Sequence, residues 1–159
     1  MHLPRRIVGR KPGRGIAVGA MVFASAAVGL ASCAGPPPSA AAQLRSWEAA
    51  SGISSSLSSM AADLSQMRAD RAGRHWGRLQ LDCVAFGTDA SKIGGSLPSP
   101  DAALTARLHA TYHAAMVYAE ACVADKGHPP ASATKALAAA QAGLAQAQRQ
   151  MAALGAPPG

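Results

Sequence analysis

The chain has 159 residues, a length typical of one domain, and a formal net charge of +7. Five of its 15 Lys and Arg residues precede the first long apolar run, at residues 16–31. From Cys33 onward, 10 Lys and Arg residues stand against 8 Asp and Glu residues, which leaves a net charge of only +2. This balance excludes the basic footprint of a nucleic-acid-binding domain, so we expect no nucleic-acid partner.

The first 32 residues have the parts of a secretory signal peptide in their usual order. Residues 1–15 are basic, residues 16–31 are apolar and small, and the run closes on Leu30-Ala31-Ser32-Cys33. These four residues resemble the bacterial lipobox, in which the cysteine thiol is alkylated with diacylglycerol and the signal is cut just before it. The resemblance implies a signal peptide at residues 1–32, a lipid on Cys33, and a place on the extracytoplasmic face of the cell membrane.

The sequence leaves alternatives open for how the chain is exported and anchored. Residues 16–32, 17 in number, would make an uncleaved anchor helix at the short limit of a membrane span. Arg5 and Arg6 would suit twin-arginine export, but the residues after them depart from that motif, so we favour the general secretory route. Residues 33–39 then form a tether, in which three consecutive prolines favour an extended spacer.

Beyond the tether, the composition predicts an all-α domain. Alanine accounts for 39 of the 159 residues and aromatic residues for 4%. Apolar residues recur at steps of three and four, which predicts helices at residues 40–70, 74–94, 100–126 and 132–154, with a disordered tail at residues 155–159. Short connections predict an up-down antiparallel bundle. The number of helices is three or four, because Gly73 could either separate the first two helices or lie inside one long bent helix.

Local signals indicate the weak points, ends and buried faces of these helices. The serine-rich stretch 51–59, which contains Gly52, is the least secure part of the first helix. Pro100 suits the first position of the third helix, and Gly127 suits its end. Trp47 and Trp76 lie on apolar faces, so we expect them in the core rather than at a ligand. The predicted core positions of the third helix are Leu104, Leu108, Tyr112, Ala115, Ala119 and Cys122.

Two cysteines remain once Cys33 is lipidated. Cys83 and Cys122 lie on the apolar faces of two helices that we expect to be antiparallel neighbours. In an exported chain, two such thiols predict one disulfide, and the alternative is a pair of buried free thiols. No Cys-x-x-Cys motif occurs in the sequence, so a redox-active pair is not expected.

The sharpest candidate for chemistry is the set of His109, His113 and Glu120 on the third helix. Spacings of four and seven residues place these side chains on one helix face. Two imidazoles one turn apart can bind Zn²⁺ or Cu²⁺, and the carboxylate would be a third ligand. We favour the alternative, an ordinary polar face, because the predicted core positions are centred roughly 120° away. The Glu of a His-Glu-x-x-His motif is missing after His109, which argues against a metalloprotease.

The remaining patterns predict no catalysis. Arg68, Arg71, Arg74 and Arg78 form a basic cluster around the first helix junction. We interpret this cluster as a solvated corner, and the alternative is a site for anionic lipid headgroups or a cell-wall polymer. The sequence shows neither a nucleophile with a supporting base nor a phosphate-binding loop, so we expect a protein that is not an enzyme and has no resident cofactor.

From the second helix through the fourth, the chain resembles small lipoproteins of high-GC Gram-positive bacteria of the actinobacterial type. The resemblance is carried by Cys33, Cys83, Leu97-Pro98-Ser99-Pro100-Asp101, Tyr112, Tyr118 and Cys122. It implies a lipid-anchored helical domain closed by a disulfide, and it implies no defined activity. We therefore expect a non-catalytic binding or interaction module of the cell envelope, with an unidentified protein or envelope component as its partner. The alternative is an extracytoplasmic metal-binding protein that uses the histidine pair.

Overall fold

The computed structural model describes residues 37–155. Within that range the chain forms five α-helices and no β-strand, so the all-α prediction is confirmed. The helices are α1 (Ala40–Ser51), α2 (Ile53–Ala72), α3 (Trp76–Gly95), α4 (Ala102–Ala124) and α5 (Ala131–Gly155). No helix in the described range combines the length and the apolar character that crossing a membrane requires. The predicted signal peptide, the lipid site at Cys33, the start of the tether and most of the tail lie outside the described residues.

The first predicted helix, residues 40–70, is in fact two helices. Gly52 ends α1 in the left-handed region, with φ of 64°, and its N–H donates to the Glu48 carbonyl at 3.0 Å. Glycine adopts this conformation without the steric cost that a side chain brings, so the serine-rich stretch breaks at its one glycine. The described chain therefore has five helices where three to four were expected, and the predicted count was wrong.

The junction of α2 with α3 is a tight turn. Arg74 lies at φ of 57°, and the His75 N–H donates to the Asp70 carbonyl at 2.8 Å. The chain then reverses, and Met67 Sδ on α2 lies 3.7 Å from Cys83 Sγ on α3. One long bent helix across this junction, the alternative that the sequence left open, is therefore wrong.

The contact between α3 and α4 is close because small residues face each other. A Cβ on Gly87 would lie 3.1 Å from the Cβ of Ala119, which leaves no spare room between the two backbones. Ser91, one turn further along α3, lies 3.6 Å from Met116 Sδ, one turn further back along α4. The two helices are therefore antiparallel, as predicted.

The same arrangement joins α4 to α5. The Gln150 side chain near the end of α5 donates to Asp101 at the start of α4, at 3.0 Å. In the middle of the pair, a Cβ on Gly143 would collide with the Thr111 hydroxyl. Because α5 also packs against α1 and α2, the up-down order closes into a bundle around one core.

The buried face of α4 is turned slightly from the predicted one. Thr111 and Tyr118 are each only 1% exposed, whereas Tyr112 is half-buried. Positions 104, 108, 111, 115, 118 and 122 are buried and alternate steps of four and three, and Ala119 is buried as predicted. The predicted set therefore missed Thr111 and Tyr118 and wrongly included Tyr112. Trp47 and Trp76 pack against the core as half-buried side chains.

The predicted disulfide between Cys83 and Cys122 is present. Its Cα atoms lie 6.2 Å apart, within the range that an unstrained backbone allows, and both residues are fully buried. The bond ties the first turns of α3 to the last turns of α4, so it fixes the register of these two helices.

We expect the double substitution Cys83→Ala and Cys122→Ala to lower the free energy of unfolding by about 3–4 kcal/mol, because the bond closes a loop of 39 residues. Denaturant unfolding followed by circular dichroism measures this difference. Reductant should destabilise the wild type by a similar amount and leave the double variant unchanged. Equal stability of the two oxidised proteins would contradict the expectation.

Candidate functional sites

The predicted metal site is only partly assembled. His109 and His113 are exposed on α4, and their ring centroids lie 5.0 Å apart. Glu120 is exposed on the same helix, but among residues 37–155 no three His, Cys, Asp or Glu side chains form a group that could hold a metal ion. The structure thus brings the two histidines together without the glutamate, and binding of Zn²⁺ or Cu²⁺ stays a prediction.

The predicted basic cluster divides between two sides of α2. Arg78 lies on the α3 side, where its Nε is 3.4 Å from Asp70 Oδ1. Arg68 and Arg71 lie on the α5 side and line a cleft there. Arg74 occupies the turn between α2 and α3. The four arginines therefore do not form one continuous surface.

The cleft beside Arg68 and Arg71 opens between α2 and α5, and Tyr118 of α4 is part of its lining. It has a volume of about 40 Å³, and its lining includes Leu64, Arg68, Arg71, Tyr118, Leu137 and Gln141. The ring of Tyr118 is buried edge-on against Phe86, with the ring centroids 6.4 Å apart. Burial raises the pKa of Tyr118, and the nearby charge of Arg71 offsets part of that rise. The phenol is therefore neutral at pH 7 and can donate a hydrogen bond.

Four aspartates form two opposed pairs along the contact of α2 with α3. Asp63 on α2 faces Asp89 on α3, and Asp70, about two turns further along α2, faces Asp82 on α3. Lys92 offsets part of the negative charge of the Asp63–Asp89 pair, because its Nζ lies 2.6 Å from Asp89 Oδ1. One carboxyl oxygen of Asp63 and one of Asp82 are buried without a hydrogen-bond partner in the described part of the chain. Burial, and then the charge of Asp89, raise the pKa of Asp63.

The second pair has carboxyl pKa values displaced in opposite directions. The hydrogen bond from the Gln66 side chain, at 3.0 Å, is the main cause that lowers the pKa of Asp70 below its usual 3.8, and the contact with His75 adds to it. Burial, and then the neighbouring Asp70, raise the pKa of Asp82. Asp70 therefore keeps its charge on acidification, and Asp82 takes up a proton first.

The outer side of α3 and α4 carries an apolar groove of about 500 Å³. Its lining includes Val84, Gly87, Met116, Ala119, Glu120 and Val123. Glu120 is the single charged side chain among the described residues that line it. Leu81, Val84 and Val117 are exposed by 69%, 50% and 53%, and all three lie on these two helices. An exposed apolar surface of this kind is typical of a contact site.

The sequence patterns did not single out the cleft between α2 and α5. A strict alternation of four and three through α4 would have selected Tyr118 for the core, so that signal was available. No local pattern pairs Arg68 on α2 with Gln141 on α5, because only the order of the helices in the bundle brings them together.

Comparison of the chain with protein-family models, with curated proteins and with solved structures gives no match.

We expect Asp82→Asn to raise the free energy of unfolding at pH 7 by about 0.5 kcal/mol, the size typical of partly exposed charge interactions. A carboxyl whose pKa is raised by folding stabilises the protein below its usual 3.8, and this contribution is lost as the pH rises through the raised value. The gain from the substitution should therefore shrink as the pH falls towards 3, which denaturant unfolding at several pH values measures. Glu120→Gln, a change at an exposed acid, is the control. A gain that is equal at pH 3 and pH 7 would contradict the expectation.

Proposed function

We propose that the protein is an exported lipoprotein, held on the extracytoplasmic face of the cell membrane by acyl chains on Cys33. The motif Leu30-Ala31-Ser32-Cys33, after a basic and then apolar leader, supports this address. Two or more acyl chains hold a protein stably on a membrane, whereas one holds it weakly. Because α1 begins at Ala40, only a short proline-containing tether separates the proposed anchor from the bundle.

In this proposal the bundle is a non-catalytic binding module for a protein or another component of the cell envelope. The observation that carries this role is the apolar groove on α3 and α4, with Val84 and Val117 exposed on the same two helices. The disulfide holds these two helices in register, so the surface is formed before a partner arrives. A preformed surface binds at a lower cost in conformational entropy than one that must first be ordered.

We expect the double substitution Val84→Asp and Thr88→Asp to release the protein from its envelope complex, because both residues line the groove and two carboxylates would have to be desolvated in the contact. Native gels of detergent-solubilised membranes should show the wild type in a larger complex and the variant alone. Ala138→Asp with Ala142→Asp adds the same charge at exposed positions of α5 and is the matched control. The same migration of the wild type and the Val84/Thr88 variant would contradict the proposed contact.

Metal binding is a second candidate function, favoured by the 5.0 Å separation of the exposed His109 and His113 rings. Calorimetric titration with Zn²⁺ and with Cu²⁺ measures it. We expect His113→Ala to weaken binding about tenfold or more, and His128→Ala, beyond the end of α4, to leave it unchanged. Equal effects of the two substitutions would show that the pair is not a site.

A further inference from the structure

We infer that the cleft between α2 and α5 binds one oxyanion group, a phosphate or a carboxylate, through Arg68, Arg71 and the hydroxyl of Tyr118. The rest of the ligand would lie outside the cleft, on the exposed surface of the two helices. This inference goes beyond the proposed function, because it names a ligand chemistry at a different surface from the apolar groove. It also does not depend on the lipid anchor, since every residue involved belongs to the bundle.

Tyr118 supplies a third polar group beside the two arginines, and it is held in place by the core. Its side chain is 1% exposed, and it is part of the lining of the cleft. The hydroxyl of a tyrosine that lines a cleft can donate a hydrogen bond to a ligand there. The lining of the cleft includes Tyr118, and Arg71 is close enough for its charge to act on the phenol. An oxygen of a bound ligand in the cleft would accept a hydrogen bond from this hydroxyl and lie near the Arg71 charge.

The arginines supply the positive charge. Arg68 and Arg71 are three residues apart on α2, so their side chains leave the same face of the helix. Neither forms an ion pair with a described residue, whereas Arg78 on the other side of α2 pairs with Asp70. Two guanidinium groups that have no carboxylate partner within residues 37–155 can bind an anion from outside.

The polar groups of the cleft are suited to an anion and not to a cation. Arg68 and Arg71 offer only hydrogen-bond donors, and the Tyr118 hydroxyl and the Gln141 amide can each donate as well. No carboxylate is among the described residues that line the cleft. The aspartates of α2, Asp63 and Asp70, face α3 instead.

The size of the cleft limits what enters it. Its volume of about 40 Å³ is room for roughly three water-sized atoms, since one water needs about 10–15 Å³ on this measure. A phosphate or carboxylate group can place two or three oxygens there, whereas a sugar ring or a base cannot enter. The cleft therefore recognises a charged group at the end of a larger molecule or along a polymer.

The test titrates the full chain, purified in detergent with its disulfide intact, with inorganic phosphate and separately with acetate at constant ionic strength. Two-dimensional ¹H–¹⁵N spectra report on the arginine Nε–H groups. We expect saturable chemical-shift changes for the Nε–H signals of Arg68 and Arg71 and no change for that of Arg149. Tighter binding of phosphate than of acetate would indicate a phosphate-bearing ligand, and the reverse order would indicate a carboxylate-bearing one.

Two variants test the assigned groups. Tyr118→Phe keeps the buried ring and should weaken binding about fivefold or more, and Arg68→Gln with Arg71→Gln should weaken it about tenfold or more. Tyr112→Phe and Arg149→Gln are the matched controls and should bind as the wild type does. Shifts that do not saturate, or equal affinity of the wild type and the two arginine substitutions, would overturn the inference. Because the arginines are exposed, their replacement keeps the test valid even if Tyr118→Phe disturbs the core.

Discussion

The close contact of α4 with its neighbours on both sides is the constraint on which the rest of the bundle depends. Gly87 lets α3 approach to the point where an added methyl group would be tight against Ala119, and at Gly143 on α5 an added methyl group would collide with Thr111. Alanine-rich helices bury little apolar area per residue, so short distances between backbones must supply much of the packing. The Cys83–Cys122 bond adds to this packing, because it restricts the unfolded chain and holds α4 in one register against α3.

Both candidate surfaces follow from the placement of α4. Its outer side contributes Met116 and Ala119 to the apolar groove, and its inner side carries Tyr118 across the core to the cleft between α2 and α5. A shift of α4 by one turn would remove the groove floor and withdraw the phenol from the arginines together. The disulfide therefore preorganises both proposed binding surfaces, and this preorganisation lowers the entropy that a ligand would have to offset.

Much of this fold was predictable from residue spacing, because the buried positions of α2, α3 and α5 recur at steps of three and four along their helices. The disulfide was predictable because two cysteines on adjacent apolar faces leave one pairing. The break at Gly52 was harder to predict, since a glycine can remain inside a helix and no local signal shows that α1 turns away from α2 to pack against α5. The cleft was not predictable, because it joins residues of α2, α4 and α5 that share no local pattern.

We propose that this disulfide-closed bundle works at a membrane surface, tethered through Cys33. Mass spectrometry of the intact protein, extracted in detergent from its own membrane without reductant, is the direct test. We expect the mass of residues 33–159 plus diacylglycerol-type acyl groups, less the two hydrogens that the disulfide removes. A chain that keeps residues 1–32 and carries no lipid would contradict this proposal.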